Sequence, residues 1–179
     1  MRREDFEHVV RAAASIVDDE LVIVGSQAIL GQYPEAPDSL LQSLEVDLFP
    51  RTEPERAGEI DGAIGDGSRF HETYAYYAHG VGPETPVAPV GWEGRLVRVE
   101  VPMSGSKGGV AVAWCLEVHD LVLAKIAAGR PHDLEFVEET VRAALVDVDR
   151  LRRGVELMPE SHRQLTDERL TSLLARLSR

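Results

Sequence analysis

Three shortages in the 179-residue sequence limit the class of protein it can be. The single cysteine, Cys115, excludes an internal disulfide framework and a cysteine-rich zinc site, and it is typical of a reducing compartment. No run of about eighteen apolar residues exists, so no membrane-spanning segment is predicted. The first residues, MRREDFEHVV, are charged where a signal peptide would be apolar. We therefore expect a soluble, cytoplasmic protein with no membrane partner.

Basic residues are also scarce. Nineteen lysines and arginines stand against 31 acidic residues, for a formal net charge of −12. A protein that coats nucleic acid through bulk electrostatics needs the opposite balance, because it neutralises phosphates with basic side chains. The segment 142–179 differs, with eight arginines against six acidic residues. These arginines are either solvated helix faces or a small basic rim that holds an anionic partner, and the sequence leaves both interpretations open.

The hydrophobic content of 44% is that of an ordinary globular domain, and its pattern predicts alternating helices and strands. The predicted helices cover residues 3–17, 27–30 (with Ser26 as N-cap), 54–64, 119–128, 133–144, 149–153 and 167–177 (with Thr166 as N-cap). The predicted strands cover residues 21–24, 45–49, 95–101 and 110–118, and residues 65–94 carry no clear pattern. Strands interleaved with helices and followed by a helical tail predict an α/β (α+β) fold.

A strand that ends in Gly25-Ser26, followed by Glu45-x-Asp47 on a second strand, is the most informative feature of the chain. Residues two apart in a strand project from the same face, so both carboxylates point into one space. They repel each other unless a cation lies between them, and a hard divalent ion such as Mg²⁺ binds both together with a substrate phosphate. A Gly-Ser turn at a helix start offers N–H groups and a hydroxyl to a phosphate. The motif predicts a metal–triphosphate site, unless the acids are only the solvated face of a half-buried strand.

The second informative segment is a helix that carries Lys125 among apolar residues and is followed by Gly129 and Asp133. An ammonium in such surroundings either snorkels to the surface or points into a pocket. Gly129 interrupts the helix, so Asp133 follows at the start of the next one, where a simple N-cap role is the alternative to a functional one. Lys125 and Asp133 are therefore candidate functional residues.

These segments resemble a known family. VGSQAI, SLEVDLFP and HDLVLAKIAAGRPHDLEFVEE, in that order, are similar to motifs of small nucleotidyltransferases of the DNA polymerase β superfamily, in particular AbiEii-like proteins and MenT-type toxins. The resemblance covers about residues 21–50 and 115–140. It implies a polymerase-β-like nucleotidyltransferase core over residues 1–130, with a mixed sheet flanked by helices. The helical C-terminal region, residues 131–179, would pack on this core in a single compact domain.

For the metal, the resemblance implies Mg²⁺ held by Glu45 and Asp47, with Glu100 on a later strand as the candidate third ligand. Two departures from the superfamily pattern bear on this site. The spacer between Ser26 and Glu45 has 18 residues, which is longer than the compact pattern, and the first acid is glutamate where many members have aspartate. A longer carboxylate still binds Mg²⁺, although the activity it supports can be weaker or altered.

For the nucleotide, the resemblance implies an NTP whose triphosphate is held by Gly25 and Ser26 and whose charge is neutralised by Lys125. Asp133 would either fix Lys125 through an ion pair or assist the attacking hydroxyl. Both would then belong to the catalytic set, with Glu45 and Asp47.

The resemblance to MenT-type toxins implies an acceptor hydroxyl at the 3′ end of tRNA. The protein would then be the toxin of a toxin–antitoxin pair, with a cognate antitoxin as partner. Fold and site do not determine the acceptor, so two alternatives stay open. One is a catalytically weak or inactive binding or regulatory protein of an antitoxin-like kind. The other is transfer of NMP to a protein or to a small molecule such as an aminoglycoside.

Two further patterns are assigned no function. The six histidines show no metal-ligand spacing, so zinc is not expected. Gly105, Gly108 and Gly109 around Lys107 resemble a phosphate loop, but the Gly-Lys-Ser/Thr ending of such loops is absent. We expect a hairpin turn there.

Overall fold

The computed structural model describes residues 1–103 and 109–177. The predicted turn around Gly105, Lys107 and Gly108 lies outside the described residues. The helices are α1 (Arg3–Val17), α2 (Ala57–Ile64), α3 (Arg69–Tyr74), α4 (Val118–Ala128), α5 (Pro131–Arg142), α6 (Val148–Val155) and α7 (Glu160–Leu177). The strands are β1 (Leu21–Ile23), β2 (Glu45–Pro50), β3 (Tyr77–Gly80), β4 (Val97–Pro102) and β5 (Val110–Cys115).

The strands form one mixed sheet in the order β3-β2-β1-β5-β4. β1 is antiparallel to β2 and parallel to β5. β2 is parallel to β3, and β4 is antiparallel to β5. A mixed sheet flanked by helices confirms the predicted fold class. Among the described helices, none combines the length and the apolar character that crossing a membrane requires.

Helix α1 packs on the sheet through one apolar stripe. Its buried residues recur at helical spacing, and they are Phe6, Val9, Val10, Ala13 and Val17. At the start, the Arg2 N–H donates to the Asp5 carboxylate (3.1 Å). At the end, Asp18 adopts a left-handed backbone conformation (φ 53°), and its N–H donates to the Ala14 carbonyl. The predicted bounds of this helix are confirmed.

A second apolar cluster joins the last four helices. Val122, Leu123 and Ile126 of α4 pack there with residues of α5, α6 and α7. Val118 and Leu121 of the same helix belong instead to the larger cluster around the sheet. Because α4 lies between the two clusters, apolar residues surround it on nearly all sides. The proposed division of the chain near residue 130 stays a prediction.

The C-terminal arginines mostly bind the protein itself. Five have partners in the fold: Arg142 and Arg176 bond to Glu138, Arg150 to Glu117, Arg163 to the Met158 carbonyl, and Arg169 to the carbonyls of Ile126 and Ala127. Arg152 and Arg153 form no hydrogen bond or salt bridge with the described chain, and Arg179 lies outside it. The structure therefore favours ordinary helix surfaces over a continuous basic rim.

Helix α7 begins earlier than predicted. It starts at Glu160, directly after Pro159, and not at Asp167. The prediction that Thr166 caps this helix is wrong, because Thr166 is buried within it and its hydroxyl donates to the His162 carbonyl (2.8 Å). A threonine that bonds back to the preceding turn looks the same in sequence as one that begins a helix.

Residues 65–94, which carry no clear sequence pattern, contribute α3 and β3. The Ser68 hydroxyl accepts a hydrogen bond from the His71 N–H (3.2 Å) and so caps α3, which ends at Ala75 in a left-handed conformation (φ 62°). β3 follows as an edge strand beside β2. Ala78 is the one buried residue of β3, so the strand lacks the apolar alternation by which strands are found in a sequence.

Replacement of Phe6, which is 0% exposed, by alanine should lower the free energy of unfolding by about 3–5 kcal/mol, because it leaves a cavity between α1 and the sheet. Ser15→Ala, on the exposed face of α1, is the control and should change this quantity by less than about 0.5 kcal/mol. Chemical denaturation followed by circular dichroism measures both. Equal effects would contradict the assigned core face of α1.

Candidate functional site

The end of β1 meets β2 at Gly25 and Asp47. The Val24 N–H donates to the Asp47 carbonyl (3.0 Å), which continues the pairing of the two strands beyond Ile23. A Cβ atom at Gly25 would lie 1.9 Å from Asp47 Oδ2. The carboxylate thus lies directly against the backbone, at a position where glycine alone leaves room for it.

Strand β2 presents both predicted acids to one space. Glu45 and Asp47 are partly exposed, and they alternate with Val46 and Leu48, which are fully buried. Both acids line a cleft of about 340 Å³. Ser26 lines the same cleft as the first residue of a 3-10 helix (Ser26–Gly31), so its predicted role as a helix N-cap is wrong. The structure therefore brings the Gly-Ser turn and the two carboxylates together.

Strand β3 supplies each acid with a neighbour. In the parallel register, Tyr77 lies opposite Glu45 and His79 opposite Asp47. The Tyr77 hydroxyl donates to Glu45 Oε2 (3.0 Å), and His79 Nδ1 lies 2.9 Å from Asp47 Oδ1. Neither residue is predicted from the sequence. The one available signal is that Tyr-x-His repeats the spacing of Glu-x-Asp.

The surroundings of Asp47 and Tyr77 shift the pKa values of these two groups. Burial raises the pKa of the Asp47 carboxyl above its usual range; the bond to His79 opposes this shift, and the charge of Glu45 adds to it. Burial and the bond to Glu45 raise the pKa of Tyr77 to about 12, so its hydroxyl stays a hydrogen-bond donor. Two partly buried carboxylates face one cleft, and a cation bound between them would offset the repulsion of their negative charges.

Across the cleft, α4 places Lys125 beside Asp133 of α5. The Lys125 Nζ donates to Asp133 Oδ1 (2.9 Å) and lies 4.7 Å from the ring centre of Phe136. The exposed fractions of the two charged side chains are 10% and 1%. The structure therefore contains the ion pair that the resemblance offered as one of two roles for Asp133.

Asp133 binds a second cation as well. The Arg130 Nε donates to its Oδ2 (2.6 Å). Burial works against the charged carboxylate, but the bonds from Arg130 and Lys125 outweigh it and hold the pKa of Asp133 below its usual range. Asp133 is not the N-cap of α5, because Arg130 occupies that position. Its observed role is to hold two cations at one wall of the cleft.

Arg130 and His132 line this wall, and neither is predicted as a site residue from the sequence. Each side chain is 65% exposed, so a molecule in the cleft can contact it. They precede Asp133 at the start of α5, directly after the break at Gly129. Arg130 and Lys125 make this wall positive, which suits a polyphosphate facing the two acids.

The prediction that Glu100 is a third metal ligand is wrong. Glu100 lies on β4, at the edge of the sheet opposite to β3, and β5 and β1 separate β4 from β2. Its side chain is 53% exposed and pairs with Arg98. The strands that neighbour β2 are β1 and β3, and neither contains a carboxylate.

The comparison with protein families agrees with this geometry. Residues 4–175 match the family described as nucleotidyltransferase of unknown function (DUF6036). The chain belongs to this family. The match spans every residue of the cleft and confirms the nucleotidyltransferase part of the resemblance, but it does not identify the chain as an AbiEii-like or MenT-type protein. No curated protein and no solved structure matches the chain.

Gly25→Ala should displace the Asp47 carboxylate, because the added Cβ would overlap it. We expect a loss of roughly 1–3 kcal/mol in the free energy of unfolding. Gly58→Ala is the matched control, since nothing lies within 4 Å of a Cβ at that position of α2, and it should raise stability by about 0.5–1 kcal/mol. Chemical denaturation of both variants tests this. A Gly25→Ala protein as stable as the wild type would show that the contact imposes no constraint.

Asp133→Ala should lower the free energy of unfolding near neutral pH by about 3–5 kcal/mol, because it leaves the Lys125 ammonium buried without its partner. Asp133→Asn, which keeps the shape and one acceptor oxygen, should cost less. Urea denaturation at pH 7 measures both losses. Equal, small losses in the two variants would contradict a structural role for the pair.

The same carboxyl predicts a pH dependence of stability. Because the pKa of Asp133 is lower in the folded than in the unfolded chain, its stabilising contribution is complete above the unfolded pKa and is lost as the pH falls through the folded one. Below about pH 4, the stability of the wild type should therefore decrease more steeply than that of Asp133→Asn. Parallel curves of unfolding free energy against pH would refute this.

Proposed function

We propose that the protein transfers a nucleoside monophosphate from an NTP to an acceptor hydroxyl, with a divalent ion such as Mg²⁺ held by Glu45 and Asp47. The observation that carries this proposal is the meeting of these two carboxylates, the Gly25-Ser26 turn and Lys125 around one cleft. Membership in the nucleotidyltransferase family supports the reaction class.

The donor atoms suit such an ion. Carboxylate oxygens are the ligands that Mg²⁺ prefers, and the ligand atoms of Glu45 and Asp47 lie within 4.8 Å of each other. When bound, the ion supplies neutralisation of phosphate charge and polarisation of the reacting phosphoryl group. Because Gly25 has no side chain, the Asp47 carboxylate fits directly against the backbone of the Gly25-Ser26 turn, which places this ligand beside the turn.

The side chains of the cleft would bind and orient the nucleotide. Ser26 offers a hydroxyl to the triphosphate, and Lys125 and Arg130 offer positive charge to the departing pyrophosphate. The acceptor hydroxyl attacks the α-phosphorus in line while the bond to pyrophosphate breaks. Asp133 keeps Lys125 in position, and its 1% side-chain exposure argues against a role as the base that takes the hydroxyl proton.

For the acceptor, we propose the 3′ end of tRNA, and for the biological role a toxin controlled by a cognate antitoxin. The support is the resemblance of the Gly25-Ser26, Glu45-x-Asp47 and Lys125 motifs to MenT-type toxins. Blocking the 3′ end would prevent aminoacylation.

A second candidate acceptor is a cationic small molecule, such as an aminoglycoside, or a basic protein segment. A recess of about 500 Å³ adjoins the cleft, with Ser26, Ser43 and His132 lining both. The acidic residues of the recess are Glu135, Glu138 and Glu139, and its arginine, Arg142, is already bonded to two of them. This charge balance favours a cationic acceptor over a polyanion.

Incubation with each α-labelled NTP, Mg²⁺ and an acceptor distinguishes these possibilities. Labelled total tRNA on a denaturing gel supports the first acceptor, and a labelled aminoglycoside on thin-layer chromatography supports the second. NTP binding without a labelled product from any acceptor would instead identify a regulatory or binding protein and refute the transfer reaction.

Asp47→Asn should reduce the rate of transfer by about 100-fold or more while the protein stays folded. The substitution weakens binding of the metal ion, and such an ion stabilises the charge of the transition state by several kcal/mol. Glu100→Gln is the matched control. It removes an exposed carboxylate at the far edge of the sheet and should leave the rate unchanged. Initial rates of label incorporation measure both. Full activity in a folded Asp47→Asn protein would exclude Asp47 as a metal ligand.

A further inference from the structure

Strand β3 holds His79 beside the proposed metal site. His79 Nδ1 lies 2.9 Å from Asp47 Oδ1, and the side chain is 51% exposed and lines the cleft. In the described part of the chain, Asp47 is its hydrogen-bond partner and no other side chain bonds to its ring. The imidazole is therefore positioned by the sheet register and remains accessible from the cleft.

The spacing of these groups matches one coordination sphere. Two ligands about 2.1 Å from an octahedral ion, at right angles to each other, are separated by about 3.0 Å. The distance between His79 Nδ1 and Asp47 Oδ1 agrees with this value. Ligand atoms of Glu45, Asp47 and His79 all lie within 4.8 Å of one another, and this is the group of three candidate ligands within the described residues.

We propose that His79 is the third protein ligand of the metal ion and that the site therefore binds Mn²⁺ in preference to Mg²⁺. This inference rests on the proposed function for the presence of a divalent ion in the cleft. Mg²⁺ takes oxygen ligands, whereas an imidazole nitrogen suits transition metals. Mn²⁺ accepts the oxygens of Glu45 and Asp47 as Mg²⁺ does and gains more from the added nitrogen.

A different role for His79 would be to orient Asp47 through a hydrogen bond, without touching the ion. The two roles differ in what they require of the side chain. An orienting residue needs only a donor in the place of Nδ1, and it contributes no nitrogen to the metal. A ligand needs the ring nitrogen itself.

The test measures Mn²⁺ binding to the full chain in the absence of nucleotide. Electron paramagnetic resonance monitors the binding, and Mg²⁺ is added as a competitor. The wild type should bind Mn²⁺ at least about tenfold more tightly than Mg²⁺. Pulsed measurements should show coupling of the bound ion to a ¹⁴N nucleus. His79→Ala should abolish that coupling and weaken Mn²⁺ binding by at least about 10-fold, since even the loss of a partner outside the ligand set costs 10–100-fold. The affinity for Mg²⁺ should change much less.

Two further variants separate the possible roles of His79. His79→Asn keeps a hydrogen-bond donor near the place of Nδ1 but removes the ring, so it should lose the ¹⁴N coupling and the preference for Mn²⁺. His79→Asp supplies a carboxylate and should shift the preference towards Mg²⁺. His162→Ala, on α7 and outside the cleft, is the matched control and should leave both affinities unchanged. Circular dichroism confirms that each variant is folded.

Three outcomes overturn the inference: a wild type that binds no Mn²⁺, equal Mn²⁺ affinity in His79→Ala, or bound Mn²⁺ without ¹⁴N coupling. Because the assay uses no nucleotide, it is independent of the transfer reaction. Nitrogen-coupled Mn²⁺ in a protein that transfers no NMP refutes the proposed function alone. Transfer by a protein whose ion shows no nitrogen coupling refutes the role of His79 alone.

Discussion

The contact between the Asp47 carboxylate and the Gly25 backbone is the constraint on which the site depends. It exists because the antiparallel pairing of β1 and β2 continues to Val24. The same pairing determines which face of β2 meets the cleft, so Glu45 must project beside Asp47. A side chain at position 25 would separate the strands or turn the carboxylate away. Strand pairing and site geometry are therefore a single property of the fold.

The cations of the cleft come from another part of the molecule. Helix α4 is embedded in both apolar clusters, and it presents Lys125 at the one side where the cleft opens. A buried ammonium is unfavourable unless it is paired, and Asp133 offsets this cost for Lys125. A buried ion pair adds little net stability compared with apolar packing. The main contribution of this pair is therefore to fix the position of the Lys125 charge at the cleft. The sheet thus provides the acids, and the helices provide the countercharge.

Sequence periodicity predicts much of the structure, and strand order explains what it misses. Apolar spacing is sufficient for α1, and acid-x-acid on a strand is sufficient to place Glu45 and Asp47 on one face. The pairing of Lys125 with Asp133 can be predicted from the sequence, because the short break between their two helices brings the two side chains close together. β3 is missed because a strand with one buried residue has no apolar alternation. Glu100 misleads because chain order does not reveal that β4 lies at the far edge of the sheet.

The position of β3 at the rim of the sheet has a consequence for how the molecule moves. It is four residues long, has a strand neighbour on one side only, and carries both Tyr77 and His79. Short border strands detach at a lower free-energy cost than the unfolding of the whole domain. Such fraying would withdraw the phenol and the imidazole together while the remaining sheet stayed intact. An ion bound by His79 would also restrain this edge strand, so occupancy of the proposed metal site and the local rigidity of β3 would then be linked.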